Sequence, residues 1–408
     1  MTAQPATAPA ARPAQPAGSA QPEVRQVTEA QRLARAYLLR VAEPPAPALV
    51  RFVARHGPVV AAEQVRSGDV PDAVRAETEA RRHLDQAEQD LAEADAAGAR
   101  LVVPEDAEWP AWQFTALEAA ENGGHRYAGE PLALWVRGSA RLDDAADRAV
   151  AVVGARAATA YGEHVAAEFG HGIALAGHSV VSGAAYGIDG AAHRGALAAG
   201  GKTVAVLGCG VDVGYPAGHS ALLRKIAESG AVVSEYAPGT PPARHRFLVR
   251  NRLIAGLSEG VVVVEAGRRS GARNTAATAA ALGRLVMAVP GPITSAMSVG
   301  CHQLLRTGDA CVVGSVEEVI ETVGRIGVDL AEPPPAEVRA TDGLDDQSLR
   351  VHEALGAGRA LSADQIAVAS GVPLGRVRAL LTGLELAGFT ARCEAGWRLA
   401  PAKARGDP

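Results

Sequence analysis

Between Arg244 and Arg273 the chain carries seven arginines (244, 246, 250, 252, 268, 269 and 273) against two glutamates, 259 and 265. Arg244-His-Arg246-Phe247 leads into Arg250-Asn251-Arg252, a cationic helix start with no acid from Thr240 to Ser258. The apolar run Gly260-Val-Val-Val-Val and the loop Ser270-Gly271-Ala-Arg273-Asn-Thr275 follow directly. Guanidinium groups beside helix N-termini at strand ends make a site for a phosphate-rich ligand. No set of acid, base and nucleophile accompanies them. The chemistry implied is holding nucleic acid rather than transforming a substrate.

Other loops after apolar runs extend the pattern. Gly154-Ala-Arg156 stands where a dinucleotide fold needs G-x-G-x-x-G, with Arg156 in the second glycine position. Gly208-Cys-Gly210 follows another such run, but position 213 is Val. Both departures argue against a nicotinamide cofactor, and no cofactor of any kind is expected. Arg156 reads as a phosphate contact ahead of a surface salt bridge. Ser182 and Gly183 can turn amides toward an anion in front of a helix. Asp189 and His193 share a helical face as metal ligands do, but no third ligand stands with them. Structural packing is the preferred reading, and no metal is expected.

Glu235 and Glu265 occupy strand ends, where a hydrolase would place its carboxylates. Orienting the arginines of the basic helix is favoured, because buried carboxylates need partners. Tyr161, Tyr186, Tyr215 and Tyr236 lie in loops after strands, and Phe247 lies within the basic cluster. That placement suits base stacking and loop packing equally. Ser270 and Thr275 offer hydroxyls that serve helix capping, phosphate contact, or both.

The elements that must position these groups follow from composition and periodicity. A net charge of −5 gives no global attraction to nucleic acid, so binding must come from the local basic cluster. Hydrophobic residues make up 48% of the 408, enough for a sizeable core in roughly two to four domains. With aromatics at 4%, Ala, Val, Leu and Gly must carry the packing. Cys209, Cys301, Cys311 and Cys393 form no C-x-x-C pair, which points to the reducing cytoplasm rather than to zinc or disulfides. Residues 1–26, rich in Ala, Pro and Gln without an apolar segment, read as a disordered tail rather than a signal peptide. No run of about 18 apolar residues is present to span a membrane.

Residues 28–100 read as helical, closing with a charged Ala-rich helix over 72–97 that reads as a connector rather than a core element. From 132 onward, short apolar strands are expected at 132–136, 149–153, 179–182, 203–207, 231–234, 260–265, 285–289 and 310–313. Helix-length segments such as 162–176, 187–199 and 275–283 separate them. Such alternation implies a parallel sheet with ligands beyond the carboxyl ends of its strands. The Pro-rich stretch from Glu332 begins a linker over 329–345. Helices at 348–355, 362–370 and 374–387 and a hairpin over 389–399 then outline a winged helix-turn-helix over 346–400. Its candidate recognition helix carries Arg376 and Arg378. From 346 to 400, however, six arginines face five acids, so strong duplex binding is not expected and a protein partner is at least as well supported.

Taken in order, these loops resemble the DNA-processing protein A family (DprA, also called Smf). The shared strings are Val153-Gly-Ala-Arg156, Ser182-Gly-x-Ala-x-Gly-Ile-Asp189-x-x-Ala-His193, Gly208-Cys-Gly-Val-Asp212-x-x-Tyr-Pro216 and Ser234-Glu-Tyr236. They continue with Arg250-Asn-Arg252-x-Ile-Ala-Gly-Leu-Ser258, Val264-Glu-Ala, Ser270-Gly-x-x-x-Thr275-Ala and Val289-Pro-Gly291. The resemblance spans roughly 130–325. It implies an α/β class: an extended Rossmann-like parallel sheet over 101–328, an N-terminal helical domain of SAM or helix-hairpin-helix type over 27–100, and a C-terminal winged helix. It also implies a homodimer that binds and protects single-stranded DNA and loads RecA recombinase during natural transformation. Ser182, Gly183, Arg244, Arg250, Arg252, Ser270 and Gly271 match the family's DNA-facing loops. Arg156, Arg246, Phe247, Asn251, Arg273 and Thr275 join them from the reading above. Tyr186 stands where many members carry Arg or Lys, implying a stacking contact in place of an ionic one. Arg273-Asn-Thr275 replaces the usual Leu-Ile-Thr and adds a charge. A nucleotide-cleaving Rossmann-like enzyme of the phosphoribohydrolase type is the rival, but its P-G-G-x-G-T-x-x-E signature is absent; Pro290-Gly291-Pro292 is the nearest string. A nucleotide-binding regulator presenting its winged helix to duplex is a third reading.

Overall fold

The computed structural model describes residues 27–125, 127–325, 328–330, 340–356 and 360–400. The tail expected over 1–26 and the Pro-rich linker from Glu332 to Pro335 lie outside the described residues. The chain divides at Glu332/Pro333 into two compact units.

The first unit is built on a nine-stranded sheet. Its strands are β1 (Ala99–Val102), β2 (Leu134–Arg137), β3 (Ala149–Val153), β4 (Ser179–Ser182), β5 (Thr203–Leu207), β6 (Ala231–Ser234), β7 (Gly260–Val263), β8 (Leu285–Ala288) and β9 (Cys311–Val312). They lie in the order β1-β2-β6-β5-β4-β3-β7-β8-β9. From β6 to β9 all neighbours are parallel, whereas β1 and β2 run antiparallel at one edge. Strands β3 to β7 are buried along their whole length, as continuous Val and Ala runs require when helices cover both faces. Successive strands step one way from β3 to β6 and the other way from β7 to β9. The order therefore reverses between β3 and β7, and a crevice opens beyond their carboxyl ends.

The structure departs from the sequence reading at the N-terminal side. Residues 72–97 form two helices, Asp72–Thr78 and Ala87–Ala96, and they are core-bearing rather than a connector. Val74, Ala87 and Ala94 share a hydrophobic cluster with Tyr37, Leu38, Leu101, Trp135 and Val211. Buried Asp90 is held there by an ion pair with Arg40. A tertiary charge pair thus admits a helix whose own sequence has no strong apolar face. Strand β1 was absent from the expectation because its four residues follow the charged helix and acquire strand pairing only through β2.

The second unit has the expected winged-helix outline. Helices Asp346–Ala354, Ala363–Ser370 and Leu374–Leu386 enclose Val351, Leu355, Ile366, Val377, Leu381 and Leu384. Ser362 and Gln365 form a reciprocal cap at the second helix, and Gly371 ends it in the left-handed conformation that favours glycine. The wing is β10 (Thr390–Cys393) against β11 (Gly396–Leu399), with Leu361 bridging to Trp397.

Candidate nucleic-acid interface

Helix Arg244–Gly256 returns the chain from β6 to β7 and crosses the crevice at the sheet's switch point. Every residue from Val249 to Gly256 is buried, while Arg244 and Leu248 are exposed and Arg246 and Phe247 half-buried. The basic helix therefore sorts its arginines by depth. Arg244 sits at the outer mouth, Arg250 on the floor, and Arg252 beneath it within the protein.

Arg252 is fully buried, and this corrects its assignment to the ligand-facing set. Its Nη2 donates to Glu235 Oε1 at 2.7 Å and its Nε to the Gly129 carbonyl at 2.8 Å. Burial raises the Glu235 pKa, and the Arg252 charge opposes the shift. Glu235 does orient an arginine of the basic helix. Glu265 does not: it accepts from the Thr159 amide and hydroxyl at 2.9 and 2.6 Å, fastening the start of helix Ala160–Leu175.

The anion nest expected at Ser182-Gly183 is already filled from within. Asp189 accepts from the amides of Gly183 and Ala185 at 3.2 and 3.4 Å, and the Ser182 hydroxyl donates to the Val152 carbonyl at 2.6 Å. Ser182 is thus a buried support, and the Gly183 amide is committed to the protein. Gly183 matters for another reason: a Cβ there would collide with the Arg250 guanidinium. Arg250 donates to the Val206 carbonyl, faces the charge of Asp189, and keeps a buried Nε without a protein partner. His193 pairs with the Thr203 hydroxyl at 2.7 Å, and burial holds its pKa down at about 3. Asp189 and His193 thus serve packing with separate partners.

Arg246 is the second inward-turned cation. Its Nε and Nη2 donate to Glu43 at 2.8 and 3.1 Å, and its Nη1 to the Pro241 carbonyl at 2.7 Å. Burial works to raise the Glu43 pKa, but hydrogen bonds from Arg246, Arg81 and His245 outweigh it and hold the carboxyl at about 2. Arg246 therefore ties the basic helix to the N-terminal segment at Glu43 and is not among the residues that line the cleft.

What remains forms one cleft of about 910 Å³ beyond β3 and β7. Arg156, Arg244, Phe247, Arg250, Asn251, Ser270, Gly271 and Thr275 all line it, brought together from the loop after β3, the basic helix and the start of helix Gly271–Ala281. Arg156, Arg244 and Arg269 stand exposed on its walls. Among the described residues the ion pairs of the basic segment belong instead to His245, Arg246 and Arg252. Ser270 caps helix Gly271–Ala281 by accepting from the Ala272 amide at 3.2 Å, so the positive end of that helix opens on the same cleft. Arg273 turns aside and donates to the Arg268 carbonyl at 2.9 Å. Arg269 counted toward the charge cluster in the sequence, yet only its place on the cleft wall distinguishes it from Arg268.

The aromatic candidates separate in the same way. Tyr236 is buried with its ring under the Arg246 guanidinium, and the Tyr161 hydroxyl donates to the Pro290 carbonyl. Phe247 stacks on Tyr215, with centroids 5.4 Å apart and planes at 28°. The Arg156 guanidinium lies 5.2 Å from the Phe247 centroid. Tyr186 and Gly183 line a smaller adjoining cavity with Tyr215, Phe247 and Arg250.

Comparison with known proteins identifies the family. The family model of DNA recombination-mediator protein A matches residues 100–324, and that of the DprA winged helix domain matches 332–396. A Mycobacterium tuberculosis protein named for DNA processing, DprA, is 52% identical over 365 residues, 89% of this chain and 93% of that one. Protein Smf of Escherichia coli is 39% identical over 251 residues, 61% of this chain and 67% of its own. The X-ray structure of DNA processing protein A from Streptococcus pneumoniae aligns with a TM-score of 0.55 at 30% identity, covering 71% of this chain and 96% of that one. A matched family model over more than half the chain, the winged-helix match and these relatives make the protein a member of the DNA-processing protein A (DprA/Smf) family.

Proposed function

We propose that the cleft binds single-stranded DNA, and that the protein, as a cytoplasmic homodimer, protects incoming strands and loads RecA recombinase onto them during natural transformation. One observation carries the binding part. Three exposed arginines without ion-pair partners among the described residues converge with a helix N-terminus at the switch point of the sheet. Phosphates satisfy such donors. Phe247 and Tyr215 beside them favour an unpaired strand, because bases locked in a duplex cannot reach an aromatic face. RecA loading, transformation and the dimer rest on family membership. The reading assigns binding rather than catalysis, since the strand-end carboxylates Glu235 and Glu265 are each held by protein donors. Among the described residues no helix is long and apolar enough to cross a membrane.

A gel-shift titration with oligo-dT and a duplex of equal length tests the reading, run beside a mononucleotide-hydrolysis assay. Single strands are expected to bind well ahead of duplex. Each phosphate contact contributes about 0.7 to the log–log salt slope, so three exposed arginines give a slope near −2. A flat salt response, equal affinity for duplex, or turnover of a nucleotide would each defeat it.

The cleft belongs to the first unit, while the winged helix carries nearly balanced charge. Truncation after residue 344 is therefore expected to leave oligo-dT affinity within about threefold of the full chain. Loss of most affinity in a well-folded truncation would move the site to the winged helix.

A further inference from the structure

We propose that Tyr215 is the platform on which a nucleobase of the bound strand stacks, with Phe247 as the second ring behind it. The proposal rests on the single-strand reading and deepens it by assigning which of the two rings meets the base and which supports it. Tyr215 and Phe247 both line the main cleft and the smaller cavity, but Tyr215 is 37% exposed whereas Phe247 is half-buried. Phe247 can sit where it does because residue 208 is glycine; a Cβ there would lie 2.9 Å from the Phe247 ring. With Tyr215 stacked on Phe247 and the Arg156 guanidinium also set against the Phe247 ring, the more open of the two rings is Tyr215.

The loop that carries Tyr215 is braced, as a stacking platform requires. The Gly210 amide donates to the Thr240 carbonyl at 2.9 Å, and the Ser234 hydroxyl to the Cys209 carbonyl at 2.6 Å. Asp212 accepts from the Gly239 amide at 3.0 Å, and the Tyr215 amide donates to the Val213 carbonyl at 2.8 Å. Beyond Tyr215, the Gly218 amide donates to the Tyr186 hydroxyl at 3.2 Å, and the Tyr186 ring meets His219 edge-on at 4.8 Å. Tyr186 thereby acts as a positioning residue for this loop. An exposed ring on a loop tied at both ends spends little ordering entropy when a base arrives.

The test compares oligo-dT with an abasic deoxyribose-phosphate oligomer of the same length, which keeps the charges and removes the rings. The full-length protein is expected to prefer oligo-dT. Tyr215→Ala should shrink that preference at least about fivefold, the smallest effect of losing one stacked base, with the salt slope unchanged. Tyr215→Leu keeps apolar packing against Phe247 without a π face and should behave like the alanine variant, so a folding defect in Tyr215→Ala leaves the test intact. Tyr215→Phe should retain the preference. Unchanged preference in both Tyr215→Ala and Tyr215→Leu, or a salt slope lowered by a whole contact, overturns the platform while leaving single-strand binding in place. Failure of the unaltered protein to bind either oligomer removes the single-strand reading and the platform with it.

Discussion

Arg244→Glu is expected to lower affinity for oligo-dT by about tenfold or more without shifting the melting temperature. Arg244 lies on the first turn of the basic helix, is exposed, and faces the cleft. A charge-assisted hydrogen bond to phosphate is worth about 1.5–3 kcal/mol, and each 1.4 kcal/mol is a factor of ten in affinity. Reversal adds repulsion to that loss. The folded state does not depend on the side chain, since exposed substitutions away from caps and cores usually change stability by less than about 0.5 kcal/mol. The log–log salt slope should also fall by about 0.7. Binding curves at several salt concentrations, beside a thermal melt, decide the matter. Undiminished affinity in a normally melting variant would move the site off the mouth of this helix.

Arg252→Ala, eight residues along the same helix, should instead act on the fold. Among the described residues the guanidinium is the only hydrogen-bonding partner of the Glu235 carboxylate, whose second oxygen is already buried without one. Removing one member of a buried pair strands the other, at a cost of about 3–5 kcal/mol. Against a total stability of about 5–15 kcal/mol this predicts a melting temperature lower by roughly 5–15 °C, or an insoluble product. Any loss of DNA binding should track the loss of folded protein. The double variant Arg252→Met with Glu235→Gln should recover part of the stability, because it no longer leaves an uncompensated charge. A single variant that melts normally yet binds DNA poorly would return Arg252 to the ligand-facing set. The two arginines are indistinguishable in charge and composition of their surroundings along the chain, and opposite in consequence.

That contrast marks where sequence reasoning stops. The parallel core was legible because a strand covered by helices on both faces is apolar through its centre; β3 to β6 fall on the expected segments 149–153, 179–182, 203–207 and 231–234. The winged-helix outline was equally legible, since Ser362, Gly371 and Pro373 punctuate it by local rules of capping and turning. These signals are local, and a linear reading contains them. The basic cluster also declared itself through the count of arginines between 244 and 273.

Tertiary structure alone decided what each charge faces. Arg246 is turned to Glu43, some two hundred positions away in sequence, and Arg252 to Glu235 and the Gly129 carbonyl. Asp189 fills the nest that Ser182 and Gly183 would otherwise have offered to a ligand. Helix Ala87–Ala96 carries Asp90 into the core against Arg40, which neutralises it. The physical reason is common to all four. A buried charge is tolerated only when a specific partner meets it at hydrogen-bond distance, and the chain brings that partner from anywhere in its length. Which residue types the protein holds, and in what local order, determined its sheet and the chemistry of its site. Which of those residues are left free to meet a ligand was settled by folding.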